Sequence, residues 1–335
     1  MLVVPEEWKK KLENAGYAIY NHSAVQICHW TRKSILDQGD CYKHRFYGID
    51  TFGCMQITQS VLWCTNRCIY CWRPNEEFAE FYESLPEDQV DDPKTSLEAL
   101  RKLRRDLLVG YKGNPEANKE KLMKTLETPT HVTFSLSGEP LLYPFVPESI
   151  KYIKENWKWV RSIFVVTNGL IPNALEKMKK KNVYPTQLYI SFIAPTPELY
   201  KKISRTLLKD YWERFLRSLE IASKLKVRRV ARITIIKGLN DDLKYLEEWK
   251  KLIDIYQPHF VEVKAFMLLG YSRYRLSIEN MPSHEYIKEW SKKLENVLDG
   301  FVYWDEHVPS RVVLLKNIKD GFNIDPRINH VEPNV

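Results

Sequence analysis

The chain has 335 residues, 44% of them hydrophobic and 28% charged, with 12 Gly and 18 Pro. That balance excludes a disordered or collagen-like chain and suits one barrel-sized α/β domain with extensions. Lys and Arg exceed Asp and Glu by 8, which is compatible with a polyanionic partner and equally with a bland basic enzyme.

The first sixteen residues are Pro-Glu-Glu and Lys-rich and lack the apolar core of a signal peptide. No run approaches the roughly 18 apolar residues of a membrane helix, because clusters such as 163–166 and 266–269 are strand-sized. A cytoplasmic protein without membrane contact is expected, and disulfides are uncommon there. All six cysteines nevertheless lie between Cys28 and Cys71. Cys28, Cys41 and Cys54 are separated by 12 residues each time, in polar or mixed stretches. Cys64-Thr-Asn-Arg-Cys68-Ile-Tyr-Cys71 is a tight C-x3-C-x2-C. A structural zinc site takes four closed ligands, whereas three thiolates on a cubane iron–sulfur cluster leave one iron for an outside molecule. The wider triplet is open to three readings: a second such cluster, buried free thiols, or a zinc site shared with His22, His29 or His44.

Apolar, β-branched or aromatic runs follow at 55–63, 131–136, 162–167, 187–193, 229–236 and 260–268. Helical stripes lie between them. Leu97, Leu100, Leu103 and Leu107 form one, opened by a capping-box pattern at Thr95-x-x-Glu98. Trp212, Phe215, Leu216, Leu219, Ala222 and Leu225 form another, and Leu243, Leu246, Trp249 and Leu252 a third. Strands alternating with helices predict an α/β fold: a partial (βα)6 TIM-like barrel with its reactive groups at the carboxyl ends of the strands. The predicted division is an extension over 1–53 carrying the wider cysteine triplet, a barrel over 54–300 and a second extension over 301–335. Strand ends carry Ser137-Gly138-Glu139-Pro140, Thr167-Asn168-Gly169 and Ser191, with Arg232 and Asn240 further along. Asn168-Gly169 reads equally as a plain turn. No Walker or Gly-x-Gly-x-x-Gly loop is present.

The tight cysteine triplet, with Tyr70 just before its last member, resembles the signature of the radical S-adenosylmethionine (SAM) superfamily. Ser137-Gly138-Glu139-Pro140 is similar to that superfamily's Gly-Gly-Glu-Pro motif. The narrower resemblance is to the tRNA 4-demethylwyosine synthase family, in the stand-alone archaeal-type form. It rests on the two triplets, Trp72-Arg73-Pro74, residues 135–140, Gly270-Tyr-Ser-Arg-Tyr-Arg-Leu-Ser277 and Glu279-Asn-Met-Pro282. The resemblance implies one 4Fe-4S cluster at Cys64, Cys68 and Cys71 that binds SAM near Tyr70, Gly138, Glu139, Asn168 and Ser191. It implies an auxiliary 4Fe-4S cluster at Cys28, Cys41 and Cys54. The implied reaction generates a 5′-deoxyadenosyl radical and condenses two carbons of pyruvate onto 1-methylguanosine beside the anticodon of phenylalanine tRNA. Pyruvate is held either by the auxiliary cluster or as a Schiff base on Lys43, which otherwise reads as a solvated surface lysine. Without the flavodoxin-like domain of eukaryotic relatives, an external electron donor is expected, as is a monomer. The candidate RNA grips are Lys177 and Lys179–Lys181, then Arg101, Lys102, Arg104 and Arg105, and above all Arg273 and Arg275 interleaved with Tyr271 and Tyr274. The rival readings are a different two-cluster radical SAM enzyme acting on a peptide or small metabolite, and a zinc-stabilised tRNA-binding protein.

Overall fold

The structure is a computed structural model that describes residues 1–74 and 80–328. Its N-terminal portion runs α1 (Glu6–Asn14), the short strands β1 (Tyr17–Tyr20) and β2 (Ser23–Gln26), then α2 (His29–Ile35) and α3 (Tyr42–Tyr47). There follow β3 (Cys54–Thr58), α4 (Pro93–Val109), α5 (Lys119–Leu126), β4 (His131–Phe134), α6 (Val146–Asn156), β5 (Ser162–Thr167) and α7 (Pro172–Lys181). Then come β6 (Gln187–Phe192), α8 (Pro197–Ser204), α9 (Tyr211–Ser223), β7 (Arg228–Ile235), α10 (Leu246–Tyr256) and β8 (Phe260–Ala265). The chain closes with α11 (His284–Val297), β9 (Phe301–His307) and β10 (Val312–Asn317).

The six predicted strands are β3 to β8, paired in parallel and in chain order. Hairpin β1–β2 joins antiparallel to β3, and β10 joins antiparallel to β8 with β9 outside it. The result is one ten-stranded mixed sheet, with both terminal segments built into it. Period-two alternation gives each strand two jobs. On β3, Met55 and Ile57 join the core shared with α4, α6 and α9, whereas Cys54, Gln56 and Thr58 take the other side. On that inner side, Tyr42, Phe46 and Tyr47 of α3 pack against Phe164, Tyr189, Val230, Phe260, Val312 and Leu314. Side chains from five strands converging on one short helix mean that the sheet curves around α3, which plugs the partial barrel.

The structure corrects several boundaries. The first predicted strand stops at Thr58 rather than 63, because the Thr58 hydroxyl accepts from the Ser60 amide and donates to the Ser137 carbonyl, turning the chain toward the neighbouring loop. Helix α4 is capped by Asp92, whose carboxylate accepts from the Thr95 amide, so Thr95 lies inside the first turn instead of before it. Leu243 falls in a turn ahead of α10 and is exposed. The hairpins β1–β2 and β9–β10 carry no strong alternation and were not among the predicted strands. No helix among the described residues is long and apolar enough to cross a membrane.

Candidate active site

The tight cysteine triplet sits on the loop after β3, at the carboxyl end of the parallel sheet. That loop is tied down from every side. The Arg67 and Ile69 amides donate to the Ser204 and Ile203 carbonyls at the end of α8. The Asn168 side-chain amide donates to the Thr65 hydroxyl at 2.8 Å. The Arg275 guanidinium donates to the carbonyls of Cys68, Ile69, Cys71 and Arg73 at 3.0, 3.1, 2.7 and 2.7 Å. Gly138, at φ +67°, lies so close that a Cβ would stand 1.8 Å from the Ser60 carbonyl oxygen. Only glycine lets the segment after β4 lie against the loop, where the Glu139 amide donates to the Trp63 carbonyl.

These contacts enclose a cavity of about 270 Å³ lined by Cys64, Cys68, Tyr70, Cys71, Gly138, Glu139, Asn168 and Ser191, every predicted residue of this end of the barrel. Glu139 is buried and accepts from the Thr167 hydroxyl (2.6 Å), the Asn168 amide (2.8 Å) and the Leu141 amide (3.1 Å). Burial outweighs these three donors and pushes its carboxyl up to about 7, as expected of an acid with no cation beside it. Burial, followed by the nearby Glu139, pushes Cys64 up to about 12, and Cys68 rises by burial and by crowding from Cys64 and Cys71. Thiols so placed become thiolates only against a strong positive charge, which is the chemistry of a metal-cluster ligand set. Asn168 and Gly169 do form a turn, and Asn168 also anchors the cysteine loop, so both readings of that dipeptide apply.

The wider triplet also converges, at the other end of the barrel. Cys28 caps α2, its sulfur accepting from the Thr31 amide, and Cys41 precedes the first turn of α3. Cys54 is the first residue of β3, at the amino rather than the carboxyl end. The hydroxyls of Thr31 and Thr51 stitch these segments together, through the Thr51 carbonyl and the Cys41 amide. Burial first, then the facing thiols, push Cys41 up to about 11 and Cys54 up to about 12. Two of the three histidines in the zinc reading are engaged elsewhere. His22 donates to the Gln59 carbonyl and accepts from the Asp91 amide, and His44 donates to the Ile49 carbonyl. Among the described residues no three His, Cys, Asp or Glu side chains close on a point as a single metal ion requires.

Lys43 extends from α3 into the barrel, with its Nζ 4.7 Å from the ring centroids of both Phe164 and Tyr189. It is therefore no surface lysine. Burial, then the Arg232 charge, lowers its pKa. Beside it lies a buried network that sequence reasoning found only in part, through Arg232. Glu262 accepts from Arg232 Nε (3.1 Å) and from the hydroxyls of Tyr42 (3.1 Å) and Tyr47 (2.7 Å). Lys264 is pushed down to about 8, by burial and then by Arg232. The missed signal was alternation within 260–265, where Glu262 and Lys264 break an apolar strand at period two.

Other candidates fall away. Asn240 caps a turn by bonding the Ile193 and Thr234 carbonyls and the Ile236 amide. Arg104 is buried against the Thr125 and Cys54 carbonyls, and Arg101, Arg105 and Lys181 pair with Glu98, Glu127 and Glu148. Arg275 is consumed by the cysteine loop, which leaves Arg273 and the 83%-exposed Tyr274 as the outward members of their segment. A larger recess of about 450 Å³, lined by Glu148, Lys151, Lys154 and Lys181 among others, contains none of the predicted site residues.

Comparison with known proteins agrees with this geometry. The family described as the Radical SAM superfamily matches residues 59–252, and the one described as Wyosine base formation matches residues 255–317. The chain is 43% identical to the S-adenosyl-L-methionine-dependent tRNA 4-demethylwyosine synthase of Pyrococcus horikoshii, over 98% of this chain and 93% of that one. It is 38% identical to the synthase of the same name from Methanocaldococcus jannaschii, over 97% of this chain and all of that one. The solved structure of TYW1 with a lysine-pyruvate adduct bound is 36% identical and superposes with a TM-score of 0.83, over 97% of this chain and 99% of that chain.

Proposed function

The chain belongs to the S-adenosyl-L-methionine-dependent tRNA 4-demethylwyosine synthase family, and from that premise we propose how its own residues divide the reaction. It is a radical SAM enzyme that acts on tRNA in wyosine formation. The proposed substrates are pyruvate and the 1-methylguanosine beside the anticodon of phenylalanine tRNA. Cys64, Cys68 and Cys71 would hold one 4Fe-4S cluster and Cys28, Cys41 and Cys54 a second, a reading supported by two convergent sets of half-buried thiols. With SAM, the first cluster supplies one-electron chemistry that yields a radical able to take hydrogen from an N-methyl carbon.

The protein's part is positioning and proton control. Glu139 receives the ammonium group of SAM, which supplies the cation its buried carboxyl lacks. Tyr70, Gly138, Asn168 and Ser191 bound the remaining space. Lys43 takes pyruvate as a Schiff base: its neutral amine adds to the keto carbon, and the keto oxygen leaves as water with both amine protons. Burial beside Arg232 favours that neutral amine, and the lysine-pyruvate adduct in the 36%-identical structure supports the assignment. Exposed Trp72 and Tyr274 offer stacking faces for RNA bases, with Arg273 toward the phosphates. An external electron donor, a monomer and a cytoplasmic setting complete the proposal.

The observation that carries this reading is the meeting of the tight cysteine triplet, Tyr70, Glu139, Asn168 and Ser191 in one cavity. The test incubates reduced, cluster-loaded protein with SAM, pyruvate and tRNA bearing 1-methylguanosine, and weighs the resulting base. Appearance of the tricyclic base, dependent on pyruvate, is expected; its absence while SAM is still cleaved would point to another acceptor.

A further inference from the structure

Arg73 has no part in the assignments above, yet it is the most anomalous side chain at the site. It lines the cavity beside Cys71, is 7% exposed, and among the described residues has no hydrogen-bond partner for Nη1 or Nη2. Its guanidinium carbon lies 4.0 Å from the Trp72 centroid and 5.0 Å from that of Tyr17, and with those centroids 6.3 Å apart the two rings flank it on adjacent sides rather than on opposite faces. Aromatic contact supplies no hydrogen-bond acceptor in the plane of the fork, so Nη1 and Nη2 keep their donors for a ligand. Among the described residues the Tyr17 hydroxyl is also buried without a partner. The backbone at this position is held too, since the Arg73 carbonyl accepts from Arg275. A buried cation with two open donors is costly unless something anionic completes it, and a planar fork fits a carboxylate or phosphate in bidentate fashion.

We propose that Arg73 is an oxyanion subsite of this cavity, taking either the carboxylate of SAM or a phosphate of the tRNA. This rests on the reading of the cavity as the SAM pocket. The charge arrives with the ligand, so the free protein carries the subsite as a local destabilisation that binding relieves.

Cluster-loaded Arg73→Lys and Arg73→Met proteins, handled without oxygen, test it. Equilibrium dialysis compares SAM with decarboxylated SAM. If the carboxylate is the ligand, both variants bind SAM at least about 10-fold more weakly, and the wild-type preference for SAM over its decarboxylated analogue shrinks by the same factor. If a phosphate is the ligand, SAM affinity holds while tRNA binding weakens and its log–log salt slope falls by about 1. Arg73→Lys keeps the charge and guards against misfolding of the Met variant. Unchanged affinity for both ligands overturns the proposal. So does a changed cluster spectrum without SAM accompanied by unchanged affinities, which would assign the guanidinium to the cluster. Failure of the wild-type protein to bind SAM would instead refute the reading of the cavity.

Discussion

Lys43 illustrates how one residue's chemistry is set by where its chain is bent. On sequence it is one of 51 basic residues; in the fold it stands between Phe164 and Tyr189 with Arg232 as its nearest influential charge. Lys43→Arg keeps the charge and removes the nucleophile. It should lower product formation at least about 100-fold, within the range by which loss of a catalytic group slows a reaction, while iron and sulfide content stay at wild-type levels. Borohydride trapping with pyruvate should add mass to the wild-type chain and none to the variant. His259 carries a different pH signature. Burial, then Arg229 and Arg228, push its pKa down to about 3, and its ring accepts from the Arg229 amide. The folded state therefore keeps it neutral where the unfolded chain takes a proton below about 6.5. Its contribution is complete above that pH and is lost as pH falls toward 3, by up to about 4 kcal/mol. Melting curves should find the gap between wild type and His259→Gln narrowing from pH 7 to pH 4.

The decisive element is the loop that bears Cys64, Cys68 and Cys71, because it has no regular structure of its own. Its shape is borrowed from the end of α8, from Asn168, and from the segment 270–275, whose Tyr271 amide donates to the Trp72 carbonyl. Gly270 has φ +52° and would place a Cβ 2.3 Å from that carbonyl oxygen. Gly270→Ala should thus strain the contact by roughly 1–3 kcal/mol. Arg275→Ala leaves four loop carbonyls in want of a donor, at about 1–3 kcal/mol for each that stays dry. Both variants should bind SAM more weakly and cleave it more slowly, with a changed spectrum from the cluster on this loop alone. Arg275→Lys should restore part of the loss. An unchanged spectrum would mean that the loop holds its shape unaided.

At the scale of the whole molecule, the curved sheet separates two thiol sites to opposite ends of one barrel and leaves Lys43 inside it, level with Phe164 and Tyr189. Oxygen-free protein should contain about eight irons and eight sulfides per chain. Cys54→Ser removes a ligand from the amino end only, so it should halve that content while leaving the SAM-responsive spectrum in place. Retention of all the iron would sink the second cluster.

The residue order alone determined the six parallel strands, because alternation and strand-sized apolar runs are local signals that burial on two faces enforces. It also singled out Cys64, Cys68, Cys71 and Glu139, whose spacing within one loop or one strand end is itself the motif, and the fold brings them to one cavity. Thirteen-residue steps between Cys28, Cys41 and Cys54 encode no geometry, so only the path of α2 and α3 across the barrel brings those thiols together. Arg275 looks like an RNA contact in the linear sequence and turns out to face inward. Glu262, Lys264 and Arg232 are charges whose burial depends on strands folding around α3. Long-range closure decided these roles: a side chain's partners, and hence its solvation and protonation, come from segments 207 and 220 residues away.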